Sequence, residues 1–252
     1  MFHRLYIFLL LILSVQMGAA QDLSQLKVQA DSAFAAEEYK RAAELYSTIA
    51  KENPSEEICY NLGCTYYRLD NMAQSVLWFE RASLLDPSDE DIHFNLEMAR
   101  SKTIDKITPR HEMFFVTVYR SVVNMLSIKG WTWLAMSLFA LCLACFAIYF
   151  FSSRLTLRKV AFFATILLFI MVILSNVFAL QQRDYAVNRT SAIILSPAVT
   201  VKSTPSESGN DLFVLHEGTK VVIQDNSIKG WCEVRVADGK VGWITRKSIE
   251  CI

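Results

Sequence analysis

The chain has 252 residues, 53% of them hydrophobic and 20% charged, with 25 basic side chains against 25 acidic ones and a mean hydropathy of +0.27. The apolar excess is larger than an ordinary soluble domain carries and points to contact with lipid, while zero net charge argues against a nucleic-acid binder. Eight Gly, five Pro and six Cys exclude a collagen-like stretch, a long disordered linker and a disulfide scaffold.

Charge divides the chain in three. Residues 21–112 hold 10 basic and 17 acidic side chains, residues 113–185 hold 6 and 1, and residues 186–252 hold 8 and 7. Ahead of them, residues 1–20 read as a signal peptide, with Arg4 before an apolar core from Leu5 to Val15 and then Gly18-Ala19-Ala20. Cleavage before Gln21 leaves the mature amino terminus outside the cytoplasm.

Residues 58–87 contain Leu62-Gly63, Tyr66, Ser75, Phe79, Ala82 and Pro87 at spacings that resemble the tetratricopeptide repeat (TPR). Gly63 and Ser75 are small where two antiparallel helices cross, and Pro87 stops the second helix. A weaker copy stands 33 residues earlier in Ala30, Phe34, Tyr39, Ala42, Tyr46, Ile49 and Pro54, with Gln29 and Glu37 departing from the pattern. A third begins at Asp89 and shows no second helix before Pro109, so the stub is expected to lean on the 111–128 segment or on a partner. The resemblance implies a peptide-binding groove, and its face positions here are Tyr60, Asn61, Cys64, Tyr67, Arg68, Phe94, Asn95 and Met98. Asn61 and Asn95 either hydrogen-bond a peptide or merely fit the repeat consensus.

From Arg110 to Ile128 the apolar residues Phe114, Phe115, Val118, Val122, Met125 and Leu126 fall on one helical face. This amphipathic helix either lies along a membrane surface, with Trp131 and Trp133 at headgroup level, or caps the helical domain. Trp131–Phe151 and Val160–Leu180 are each 21 residues without a charge, and about 20 suffice to cross a bilayer. The segment between them carries Arg154, Arg158 and Lys159 and no acid, which keeps it cytoplasmic. Signal peptide and loop therefore place both flanking regions outside, in the periplasm of a Gram-negative cell.

After Leu180 the pattern becomes short β-rich runs at 199–202, 220–223, 232–236 and 240–244, with Asp238-Gly239 predicting a type I′ hairpin. Val201-Lys202-Ser203-Thr204-Pro205, Leu215-His216-Glu217-Gly218-Thr219, Gly230-Trp231 and Asp238-Gly239-Lys240-Val241-Gly242-Trp243-Ile244 together resemble a bacterial SH3 domain. Val199-Thr200-Val201-Lys202 departs from the Leu-Asn-Val-Arg run that many relatives show. The resemblance implies a binder of cell-wall peptide or protein tails. Phe213, Trp231 and Trp243 either form its aromatic groove or pack in the core of a small barrel.

Little else carries chemistry. Cys142 and Cys145 share one face of the first span, as a redox relay requires, although small apolar packing explains them equally well. Cys232 and Cys251 are a possible disulfide in an oxidising compartment. His93, His111 and His216 lack metal-ligand spacing, and no nucleophile elbow or phosphate loop appears. The reading is a non-enzymatic protein without metal or cofactor.

The expected fold class is a multidomain membrane protein with an α-helical TPR solenoid, a two-helix transmembrane hairpin and a small all-β SH3-like barrel. The expected division is signal peptide 1–20, TPR domain 21–108, amphipathic interfacial helix 109–130, membrane helices 131–151 and 160–180 around a cytoplasmic loop 152–159, linker 181–198 and SH3-like domain 199–252. This order resembles the BatE-type architecture of the Bacteroides aerotolerance (Bat) family. The resemblance implies an inner-membrane protein in envelope stress or oxygen tolerance, working with von Willebrand-type partners and, indirectly, a MoxR-type ATPase. The residues themselves predict a scaffold with two recognition modules outside one hairpin; a peptidoglycan anchor and a membrane thiol relay are the rivals.

Overall fold

A computed structural model describes residues 23–252 apart from positions 109, 111, 112 and 189; the expected signal peptide, residues 1–20, lies outside the described residues. The acidic region is helical: α1 covers residues 23–35, α2 Tyr39–Glu52, α3 Glu56–Arg68, α4 Met72–Leu85 and α5 Glu90–Ser101. Caps set the starts. The Ser55 hydroxyl accepts from Ile58 N–H, Asn71 Oδ1 from Gln74 N–H, and Asp89 Oδ1 from Asp91 and Ile92 N–H. The first turns of α3 and α5 also carry acidic pairs, which the helix dipole favours.

The internal spacing reappears in the backbone. Glu37 (φ 61°) and Asp70 (φ 58°) both end a helix in the left-handed conformation. The amides of Glu38 and Asn71, one residue on, donate to Ala33 O and Tyr66 O at 2.9 and 3.0 Å, closing two equivalent helix ends. At the α3–α4 crossing, Ser75 Oγ donates to Gly63 O at 2.9 Å, and a Cβ on Gly63 would stand 2.5 Å from the Phe79 ring.

The apolar middle holds α6 (Phe114–Val123), α7 (Ile128–Phe151) and α8 (Leu155–Val187). α7 and α8 are long and apolar enough to cross a membrane, and only 11% of the most apolar stretch of each is buried. Their helical bounds exceed the apolar runs. α8 has no Gly or Pro to stop it, so it takes in Arg158 and Lys159 and continues through Gln181–Val187. The turn between α7 and α8 shrinks to residues 152–154. α6 packs on α8, where Tyr119 and Trp131 both meet Phe178 and Gln182 Nε2 donates to Val123 O and Leu126 O. It does not cap α5.

The last region is one antiparallel sheet: β1 Ser191–Ile194, β2 Ala198–Lys202, β3 Asp211–His216, β4 Lys220–Asp225, β5 Trp231–Val236, β6 Val241–Thr245 and β7 Ile249–Cys251, in spatial order β3-β2-β6-β5-β4-β1-β7. β1, β3 and β7 were not expected, and β1 reduces the expected linker to residues 188–190. The β5–β6 turn also differs from expectation. Gly239 has φ 92° while Asp238 is not left-handed, and Gly239 N–H donates to Val236 O. That is a type I turn followed by a glycine bulge, not type I′.

The two folded regions form one body. α4 has two working faces: Phe79 and Ser75 turn to α3, while Ala73, Leu77, Glu80 and Arg81 turn to the sheet. Val76, Leu77, Phe79, Leu96 and Ala99 share a buried cluster with Ile193 and Ile252. Ala192 and Ile194 face the other way, into the core of the sheet. α4 and α5 therefore lean on β1 and Ile252, where the 111–128 segment or a partner was expected.

Candidate functional site

The helical groove residues divide by what they touch. Tyr60 and Asn95 join α3 to α5, with Asn95 Nδ2 donating to the Tyr60 hydroxyl at 3.0 Å. Tyr60 also packs on Phe79, ring centroids 5.7 Å apart. Burial, reinforced by Cys64, pushes its phenol up to about 12. Lys102 sits 4.1 Å over the ring of Tyr67. Asn61 is half-buried with its backbone carbonyl taken by Thr65 Oγ1, Arg68 is exposed, and Phe94 is 69% exposed. Of the expected groove positions, Arg68 and Phe94 are the exposed ones.

The aromatic trio of the sheet is split. Phe213 pairs with the fully buried Val201 and packs against the inner core. Trp243 pairs with Lys202 and Glu233, and Trp231 with Thr245, which sets both indoles on the opposite face. Neither belongs to the core cluster. The core reading therefore holds for Phe213 and not for the tryptophans. Trp231 borders an open depression of about 430 Å³ with Val199, Thr200, Lys202, Glu207 and Thr245. Gly242 precedes Trp243 because a Cβ there would stand 2.5 Å from Val201 Cγ1, a close approach in a strand and not a bend.

All six cysteines are free. Cys142 faces α8, its thiol 3.6 Å from Thr165 O, with Cys145 one turn further on. Cys232 and Cys251 are separated by Arg246, which reaches both sulfurs at 3.7 and 3.3 Å. Burial pushes the Cys59 thiol up to about 11, which suits a packing role.

Sequence reasoning missed the charged junction between the two folded regions. Glu80 is 3% exposed and accepts from Arg100 of α5 and from Lys220 Nζ of β4, the latter at 2.7 Å. Burial opposes its ionisation, but Lys220 and then Arg100 outweigh that penalty and hold the carboxyl below its usual range. Beside it, Arg81 donates to Glu250 at 2.8 Å and to Cys251 O at 2.7 Å. Asp105 accepts from His216 N–H and Thr219 Oγ1, both at 2.7 Å, and meets His216 Nδ1 at 2.8 Å. Burial again works against the charge, and the His216 amide leads the bonds that lower this carboxyl. These groups fasten the two regions, and Arg100, Asp105, Thr219 and Lys220 also line an open pocket of about 680 Å³ with Lys106 and Arg235. Among the described residues no cluster of three or more His, Cys, Asp or Glu could hold a metal.

No curated protein matches the chain. Residues 197–250 match the bacterial SH3 domain family, a match that stops short of β1 and Cys251 although both belong to the same sheet. The carboxy-terminal region is a bacterial SH3 domain.

Proposed function

We propose that the chain is a non-enzymatic adaptor of the inner membrane, held by the α7–α8 hairpin, with its helical and SH3 regions on the periplasmic side binding protein partners. The observation that carries this reading is the side on which the SH3 domain docks. It packs along α4, behind the helical array, and among the described residues Arg68 and Phe94 of the α3–α5 face stay exposed. The 33-residue equivalence of the helix ends supports a TPR-type array, for which an open face of that kind is the binding surface. The basic turn, with Arg154 beside Arg158 and Lys159, supports a cytoplasmic tip.

Under the Bat-type reading the partners are von Willebrand-type proteins, coupled indirectly to a MoxR-type ATPase in envelope stress or oxygen tolerance. Affinity purification from solubilised membranes tests it. Arg68→Glu with Phe94→Ala should release the partners without changing the melting temperature. Unchanged recovery, or a reporter after Ile252 that works only in the cytosol, refutes the reading. A second reading, peptidoglycan anchoring, is favoured by the outward position of Trp231 and Trp243. Sacculus pull-down lost on Trp231→Ala would select it.

A further inference from the structure

The pocket of about 680 Å³ at the junction lies between the carboxy-terminal end of α5, the segment 103–108 that leaves it, and the β4–β5 pair. Ligand cavities run to roughly 300–1,000 Å³ and commonly sit where folded regions meet. Val222 and Arg235 stand opposite each other across β4 and β5, and Val222, Ile107 and Ala237 make part of the wall apolar. The acids around it are spent. Glu80 and Glu97 hold Arg100, and Glu80 also holds Lys220; Asp105 accepts from His216 and Thr219. Two cations of the wall face no acid among the described residues. Lys106 Nζ donates to the neutral carbonyls Arg100 O and Ser101 O, at 3.1 and 2.6 Å. The Arg235 guanidinium has no partner among the described residues. Residues 106–108 belong to no helix or strand, and their N–H and C=O groups meet no backbone partner among the described residues. An apolar wall, two unpaired cations and unpaired peptide groups together complement a peptide that ends in a carboxylate.

We propose that this pocket takes the carboxy-terminal end of a partner protein, with the terminal carboxylate between Lys106 and Arg235 and an apolar last side chain against Val222 and Ile107. A carboxylate fits the charge better than a phosphate, because a dianion would also meet Glu97 and Asp105 on the same wall. The open mouth leaves room for the residues before the last one, whose peptide groups can pair with those of residues 106–108. The inference rests on the adaptor reading. It adds a site separate from Arg68 and Phe94 and names the part of the partner that is held.

The test uses a fluorescein-labelled pentapeptide pool with leucine last and the other positions random, made as free acids and as amides. Each is titrated by fluorescence polarisation against the full chain in lipid nanodiscs. The acids should bind, and the amides about tenfold more weakly, because the amide lacks the charge. Arg235→Gln breaks no ion pair; it should weaken acid binding about tenfold, bring acid and amide together and leave the melting temperature unchanged. Val222→Asp should also weaken acid binding, by setting a like charge in the pocket, and it stands in if the first variant misfolds. Equal binding of acids and amides overturns the proposal, and so does acid binding that neither variant changes. N-acetyl-leucine competing as well as the pentapeptide acids would make the occupant a small carboxylate and overturn it too. If the acids do not bind while Arg68→Glu with Phe94→Ala still releases partners from membranes, the proposal falls and the adaptor reading stands. If neither result is obtained, both fall.

Discussion

Glu80 and Lys220 are 140 residues apart and meet at 2.7 Å, so a double-mutant cycle on them measures whether the helical and SH3 regions are one body. Glu80→Gln keeps the size and removes the charge; Lys220→Met keeps the stem and removes the ammonium. Removing one member of a fully buried pair costs about 3–5 kcal/mol, because the other charge is stranded. Here the side chains of Lys220 and Arg100 are 39% and 38% exposed, and water screens them once Glu80 is neutral. The expected costs are therefore about 2 kcal/mol for Glu80→Gln, about 1 kcal/mol for Lys220→Met, and about 1 kcal/mol of coupling. The readout is the opening free energy of the Ile193 amide, from native-state hydrogen exchange of the chain in nanodiscs. Ile193 lies in the shared cluster, so its amide reports on the junction. Additivity within about 0.3 kcal/mol would mean that the contact contributes nothing and would refute the single-body reasoning.

Three other outcomes follow from the geometry. Gly63→Ala should destabilise the α3–α4 pair by about 1–3 kcal/mol, because the new methyl meets the Phe79 ring at 2.5 Å; a melting temperature equal to the parent's would contradict that crossing. Asp105 is held below the usual carboxylate range, so its contribution is fully present above the unfolded carboxylate pKa and is lost as pH falls through the depressed folded value. Melting curves from pH 6 to below pH 3 should show less acid sensitivity in Asp105→Asn than in the parent, and equal slopes would remove Asp105 from the junction. Gln182→Leu removes the donors to Val123 O and Leu126 O, at about 1 kcal/mol per bond. Faster amide exchange in α6 with α7 and α8 unchanged is the expected result.

What could be read from the sequence was what has a local period. The paired small residues Gly63 and Ser75 and the two uncharged 21-residue runs announced helices, and the alternation at 232–236 announced a strand. β1 escaped because Ala192-Ile193-Ile194 is buried on both faces, one against the sheet core and one against α4. A strand covered on both sides shows an apolar run and no alternation. Glu80 escaped for a related reason. It is one of 17 acids in residues 21–112, and no local pattern announces a lysine 140 residues away. The tryptophans misled differently: their size suggested a barrel core, but Cys232, Val234 and Ile244 fill that space, and the register turns the indoles out.

The docking also answers a problem of size. Under the proposed TPR-type reading, two and a half repeats leave the back of the last helix uncovered, and such a stack normally needs a terminal helix to cover it. Here Ile193 and Ile252 cover Leu77, Leu96 and Ala99, so a strand does the work of the missing helix. A cover of this kind binds the two regions thermodynamically. If the SH3 sheet opened, Leu77 and Leu96 would meet water. If α4 opened, Ile193 would lose its packing and Glu80, Lys220 and Arg100 their partners. Residues 188–190 alone join α8 to β1, and Lys129 at the start of α7 reaches Glu56 at the start of α3 at 3.1 Å. The start of α7 and the end of α8 are thus linked to both halves of the body. A displacement of β1 reaches α4 through Ile193, which packs against Leu77 and Leu96.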